Sequence, residues 1–192
     1  MSNTNKPTPL LPGGNWNRTY ILGKVLGIKI TAETSAIISG FVLWAILAVI
    51  GKNFLALTGP DVVVGGGLLV LMHYGLGFVH QFGHALAAAQ TKYEMTGMHY
   101  WFLLTRSIYP PREPKLPAKV HIQRAKGGPI ASGILSGVLG LLSLLLIPVG
   151  GLTLLIVGFL FLDNLLVFTL GALLPVKGFD GGTIKYWQDK TK

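Results

Sequence analysis

Four long apolar stretches constrain this chain more than any other feature of its sequence. They cover about residues 35–51, 66–90, 128–149 and 151–174. A helix needs roughly 20 apolar residues to cross the hydrocarbon core of a bilayer, so each stretch can span a membrane. Only 12% of the residues are charged, whereas soluble domains carry about 25%. We therefore predict an all-α polytopic membrane protein with four transmembrane helices.

The remaining segments are expected to form a small β-sheet and two flexible ends. Residues 19–32 alternate in β-like fashion, and residues 92–110 are rich in aromatic and β-branched types, with 120–123 as a possible partner strand. These patterns predict a small cytoplasmic β-sheet element against the membrane face. We expect a flexible N-terminal arm at 1–18, a membrane domain at 19–185 containing the 91–127 loop, and a C-terminal tail at 186–192.

The basic residues indicate the orientation of the chain. All of them except Lys52 fall before the first apolar stretch, in the 91–127 loop or after the fourth stretch. Loops rich in Lys and Arg stay in the cytoplasm, so both termini and the long loop are expected there, in a bacterial inner (cytoplasmic) membrane. This distribution explains the formal charge of +9 without a nucleic-acid partner.

A pair of histidines lies inside the second apolar stretch. His80 and His84 are spaced i and i+4, which puts both imidazoles on one helix face and lets them reach one zinc ion. The chain has no cysteine, so any metal must be held by histidine and carboxylate. Two alternatives stay open, namely histidines that hydrogen-bond helices together and histidines that ligate haem or a pigment.

Asp180 is the candidate for a third ligand. It follows the fourth apolar stretch in the segment LLPVKGFDGG, where Pro175 and Gly178 are expected to break the helix and Gly181 and Gly182 to let the backbone turn. Broken helix at membrane depth is tolerated where it faces protein or a wet cavity. We therefore expect Asp180 on irregular backbone near the level of the histidines.

Further polar residues lie within the apolar stretches. His73 is seven positions before His80 and on the same helix face. Asp163 lies about 18 Å from the outer end of its helix, at 1.5 Å per residue, which is close to the expected depth of His80. Asp163 is expected either to accept a hydrogen bond from a ligand imidazole or, with Asn164, to link helices.

These motifs together resemble the site-2 protease family of intramembrane zinc metallopeptidases. HQFGHALAA is similar to the family's His-Glu-x-x-His helix, GGPIAS to its Ala-Gly-Pro segment, and LLPVKGFDGG to its Leu-Asp-Gly segment. LGKVLGIKITAETS is similar to the strand pair before the first helix in many bacterial members. The resemblance covers roughly residues 20–185 and implies that His80, His84 and Asp180 bind Zn²⁺.

Three residues depart from the family pattern. Gln81 stands where the family has its catalytic glutamate, Ala172 where it has an asparagine that holds substrate, and Ser132 where another asparagine follows Ala-Gly-Pro. A carboxamide cannot accept a proton from water, so the chain is expected to be inactive as a peptidase as it stands. The alternatives are an engineered Gln81 in an otherwise active enzyme and a pseudoprotease, a structural or interaction subunit of a larger membrane complex. The expected partners are the bilayer and a transmembrane substrate or partner subunit.

Overall fold

The computed structural model describes residues 18–191, and within them lie four helices long and apolar enough to cross a membrane. These are α1 (Thr34–Phe54), α2 (Gly59–Ala89), α3 (Ala118–Leu146) and α4 (Gly151–Asp163), which continues as a π-helical segment (Asn164–Gly171). A fifth helix, α5 (Asp180–Asp189), is short. The prediction of an integral membrane protein with four spanning helices is confirmed.

The helix ends differ from the sequence-based expectations where capping residues intervene. α2 begins seven residues earlier than expected, because Pro60 and Asp61 occupy its first turn, where a fixed φ and a negative charge favour a helix start. α3 begins directly after Pro117. The prediction that residues 120–123 form a strand is therefore wrong. Four residues are too few for their spacing alone to distinguish a strand from a helix.

The two chain ends are only partly described. The predicted arm at 1–18 lies outside the described residues except for Arg18. The predicted tail at 186–192 overlaps α5, which runs to Asp189.

A four-stranded sheet packs beside α2, which confirms the predicted β element. Its strands are β1 (Thr19–Val25), β2 (Ile28–Glu33), β3 (Gly97–Trp101) and β4 (Leu104–Ile108), in that order across the sheet. β2 and β3 are parallel, and the outer pairs are antiparallel. Met98 and Ile28 form a buried cluster with Ala85 and Ala88 of α2, so the sheet packs against the C-terminal half of that helix.

α2 and α3 touch backbone to backbone at a pair of glycines. A Cβ atom built on Gly83 would overlap the carbonyl of Gly127, and one built on Gly127 would overlap the carbonyl of Gly83. Only glycine at both positions permits this approach. The contact brings the next residue of α3, Gly128, against the histidines of α2.

Candidate metal centre

The structure brings His80, His84 and Asp180 together. The Nε2 atoms of His80 and His84 are 3.1 Å apart, and Asp180 Oδ2 lies 3.2 Å from the first and 3.3 Å from the second. Both imidazoles are buried, while Asp180 keeps one-fifth of its side chain exposed. Three donor atoms from two separate helices thus point at one place.

The spacing of these donor atoms fits a zinc ion. Tetrahedral zinc with bonds of about 2.0–2.1 Å separates its ligand atoms by about 3.3 Å, close to the three distances observed. Gly128 lies against the trio, and a Cβ atom there would overlap both Nε2 atoms. The chain therefore leaves space beside the donors that any other residue at 128 would fill.

The far side of each imidazole is held by a polar group on α3. His84 Nδ1 lies 2.8 Å from the carbonyl oxygen of Arg124, an acceptor, and 3.2 Å from the amide of Gly128, a donor, and the shorter contact favours a proton on Nδ1. His80 Nδ1 lies 3.1 Å from the hydroxyl of Ser132, which is fully buried. A proton on Nδ1 leaves the lone pair of Nε2 free for a metal, as in many zinc sites.

Ser132 therefore has a role that sequence reasoning missed. The family pattern marks it only as an altered substrate-holding position, yet its hydroxyl contacts the imidazole of His80. The sequence offered one signal for this role, because Ser132 follows the glycines that bring α3 against α2.

Asp180 lies on regular backbone rather than on the irregular backbone that we expected. It is the first residue of α5, and Gly181 and Gly182 are helical. Cβ atoms at these two glycines would overlap the carbonyls of Leu173 and Val176. The glycines are therefore needed for close packing of α5 on the preceding turn.

Ala172 lies in the same region. It is buried, and its carbonyl accepts a hydrogen bond of 2.9 Å from the amide of Gly181. This backbone contact helps to fix the start of α5 and so the position of Asp180.

Gln81 is buried beside the cluster and bonded to β4 through both of its polar atoms. Its Nε2 donates to Thr105 Oγ1 at 3.1 Å, and its Oε1 accepts from Ser107 Oγ at 2.7 Å. Thr105 and Ser107 are two residues apart on β4, so they point to the same face of the strand. The carboxamide thus links α2 to the last strand of the sheet.

Buried Arg124 and partly exposed Glu113 form an ion pair that sequence reasoning missed. Arg124 donates to both carboxylate oxygens of Glu113, at 3.0 and 2.6 Å, and to the carbonyl of Tyr93. Its guanidinium lies 4.0 Å from the ring centre of Tyr109. Hydrogen bonding to Arg124 lowers the pKa of the Glu113 carboxyl. The pair joins the proline-rich segment before α3 to Arg124 on α3. Arg124 is also the residue whose backbone carbonyl lies against His84.

Asp163 does not contact a ligand imidazole. Its Oδ2 lies 2.8 Å from Nδ1 of His73, so the expected contact with a ligand histidine is wrong. Asn164 is fully buried and donates to the carbonyl of Ser132 at 2.7 Å and to the hydroxyl of Ser136 at 2.9 Å. Asp163 and Asn164 thus link α4 to α2 and α3, as the second interpretation expected.

The cluster opens into a cavity of about 720 Å³. Its walls are the metal-site residues, β4, the proline-rich segment and the start of α5, and two exposed cations, Arg106 and Lys177, lie on its lining. A cavity of this volume admits a ligand of many atoms, so the donor atoms can be reached from outside.

One comparison with known proteins supports the fold. No protein-family model matches the sequence, and no curated protein matches it significantly. A solved structure, the site-2 protease from Methanocaldococcus jannaschii, has a TM-score of 0.64 to this chain, with 17% sequence identity. The similarity covers 91% of this chain and 73% of that chain. The chain therefore has a fold like that of a site-2 protease.

Proposed function

We propose that this chain is a zinc-binding pseudoprotease of the site-2 protease type, which binds a segment of another membrane protein without cleaving it. In this proposal His80, His84 and Asp180 hold the metal, and the cavity beside them receives the partner. The protein resides in a bacterial inner membrane with both termini in the cytoplasm, as the distribution of basic residues indicates.

The donor triangle and its support favour a metal role. Two imidazoles and one carboxylate are a donor set of the kind used by catalytic zinc sites, which keep a fourth position open. A zinc ion bound there would polarise a carbonyl oxygen and lower the pKa of a coordinated water. The acceptors at Arg124 and Ser132 would keep both Nε2 atoms unprotonated for the metal.

The environment of Gln81 carries the proposal that the site does not catalyse cleavage. Peptide hydrolysis needs a group that takes a proton from water and later gives it to the leaving amine. A carboxamide has no such basicity, and both polar atoms of Gln81 are already bonded to Thr105 and Ser107. No other carboxylate among the described residues lines the cavity except Glu113, which is paired with Arg124, and the candidate ligand Asp180.

The outer edge of β4 supports a role in binding an extended segment. β4 is last in the order of the sheet and lines the cavity through Leu104, Thr105, Arg106 and Ser107. An extended peptide can add to such an edge through main-chain hydrogen bonds. A partner segment unwound at the membrane surface would then lie between β4 and the donor cluster.

The haem or pigment alternative has weaker support. The Nε2 atoms of His80 and His84 face each other and Asp180, which leaves neither one free for a macrocycle. His73 has both ring nitrogens engaged as well. An absorption spectrum of the purified protein with a Soret or chlorin band would revive this alternative.

Metal analysis tests the first half of the proposal. Protein purified without added chelator is expected to contain about one zinc per chain, as four-coordinate protein sites do. His84→Ala is expected to lose the metal, whereas His121→Ala, which removes a histidine outside the cluster, should retain it. Equal zinc in the two variants, or no zinc in the wild type, would reject the metal site.

Restoring the carboxylate tests the second half. Wild-type protein with bound zinc is expected not to cleave a set of synthetic transmembrane peptides. Gln81→Glu should raise cleavage by about 10²–10⁴-fold, the usual contribution of a general base, and Gln81→Ala serves as the control without a carboxylate. Zinc-dependent cleavage by the wild type would show that the site is active and would refute the pseudoprotease proposal.

A further inference from the structure

The turn between β3 and β4 lies beside the middle of α2. Its two residues, Phe102 and Leu103, contact the part of α2 around His73. His73 is fourteen residues from the start of α2, about 21 Å along the helix at 1.5 Å per residue. A hydrocarbon core is about 30 Å thick, so the turn lies beside the middle of the membrane-spanning part of α2 and not beside its end.

Backbone polar groups at this depth need partners, since lipid offers none. The amide of Phe102 donates to Ser35 Oγ at 3.2 Å. Its carbonyl lies 3.1 Å from the hydroxyl of Tyr74, whose single proton is shared with the carbonyl of Ala36. The carbonyl of Leu103 lies 2.8 Å from His73 Nε2. Side chains from α1 and α2 thus form a binding site for the turn.

Proton counting shows why His73 needs Asp163. The carbonyl of Leu103 can only accept, so His73 Nε2 carries a proton. The other nitrogen, Nδ1, faces the carboxylate of Asp163 at 2.8 Å, and a single proton must lie between these two atoms. The pair is neutral overall and fixes the imidazole in the one orientation that donates to the turn.

We propose that His73 is a positioning residue that, oriented by Asp163, holds the β3–β4 turn against α2. β4 begins directly after this turn and carries Thr105 and Ser107. Their side chains hydrogen-bond to Gln81, which lies beside the three candidate zinc ligands. The pair therefore sets the position of the strand edge relative to His80 and His84 without touching them. The importance of the His73–Asp163 pair for partner binding rests on the proposed function. Its effect on the position of the turn does not depend on that function.

Cysteine labelling tests whether the turn is held. The chain has no cysteine, so Leu103→Cys, at the half-buried position of the turn, gives a single reactive site in full-length protein reconstituted into vesicles. Adding His73→Leu should speed reaction with a small charged thiol reagent by about fivefold or more, the effect of losing a hydrogen bond of about 1 kcal/mol. Asp163→Leu should act in the same direction. The labelling rate in Asp163→Asn should stay within about twofold of the unsubstituted rate. The asparagine amide can donate to His73 Nδ1, so that Nε2 keeps its proton and still donates to the carbonyl of Leu103.

A second cysteine position separates positioning from general unfolding. Leu26→Cys lies in the other hairpin turn and is already exposed, so its labelling should not change with any of these variants. An unchanged rate at residue 103 in His73→Leu would overturn the proposal. Faster labelling at both 103 and 26 would also overturn it, because His73 would then merely stabilise the fold. If His73→Leu does not accumulate, Asp163→Leu decides by the same two criteria.

The effect on β4 is measured with spin labels. Labels at Arg106→Cys on β4 and Lys185→Cys on α5, both exposed, report the distance between the strand and the helix that carries Asp180. His73→Leu should shift or broaden this distance, and Asp163→Asn should restore it. An unchanged distribution in His73→Leu would refute positioning through β4. Zinc content, measured in the same samples, tests the metal proposal separately.

Discussion

Replacing Gly128 by alanine is expected to abolish zinc binding although all three donor side chains remain. The added Cβ atom would lie 2.5 Å from Nε2 of His80 and closer still to Nε2 of His84. These are the two nitrogens that face Asp180. The substitution therefore places a methyl group where the donor atoms converge.

The size of the effect follows from these distances. Non-bonded heavy atoms pack best at about 3.5–4.0 Å, so each imidazole must retreat by about 1 Å. Zinc sites hold their ligands to within about 0.2 Å of ideal distances. The displacement is several times that tolerance, and we expect occupancy to fall below about a tenth of a zinc per chain.

The assay compares zinc per chain by elemental analysis in Gly128→Ala and in Gly137→Ala. Gly137 lies on the same helix, and a Cβ atom there meets nothing within 4 Å. The control should keep its zinc and gain up to about 1 kcal/mol from the better helix propensity of alanine. Wild-type zinc content in Gly128→Ala would refute the argument, since the metal could not then lie between these donors.

Two further predictions concern charged groups other than the candidate metal ligands. The hydrogen bond from His99 lowers the pKa of Glu33 from its ordinary 4.5. Glu33→Gln should therefore reduce thermal stability above pH 4.5, and the difference from wild type should vanish as the pH falls through the lowered pKa. A constant difference down to pH 3 would contradict this. Glu113→Ala leaves the buried Arg124 guanidinium without its carboxylate and should cost about 3–5 kcal/mol in chemical unfolding, whereas Glu113→Gln, which keeps an oxygen acceptor, should cost clearly less. Equal costs would contradict the ion pair.

Local patterns in the sequence predict the two histidines of the donor cluster. Histidines at i and i+4 share a helix face whatever the tertiary structure. Asp180 was predicted to join them from the family resemblance and from its place after the fourth helix. The strands at residues 19–32 and 92–110 followed from β-branched and aromatic alternation.

The partner of Asp163 could not be predicted, because a depth estimate depends on where a helix starts. With α2 starting at about residue 66, His80 lies about 21 Å from its outer end, near the depth of Asp163. α2 actually starts at Gly59, so His73 occupies that depth instead. Hydropathy does not reveal this start, because Pro60 and Asp61 lie outside the apolar stretch.

Contacts between different segments of the chain could not be predicted from the sequence either. The pairing of Arg124 with Glu113 and the bonding of Gln81 to Thr105 and Ser107 both depend on how loops fold back onto helices. Pairing patterns of this kind have no local periodicity. They became visible only with the tertiary structure.

The parallel pairing of β2 with β3 has a consequence for biogenesis. Residues 29–32 pair with residues 97–100, and α1 and α2 lie between them in the chain. The two strands meet only if the intervening helices make a round trip across the bilayer, so the sheet cannot close until both have been inserted. During synthesis about seventy more residues must follow β2 before β3 exists to pair with it. Until then β1 can cover one edge of β2, and the other edge stays unpaired.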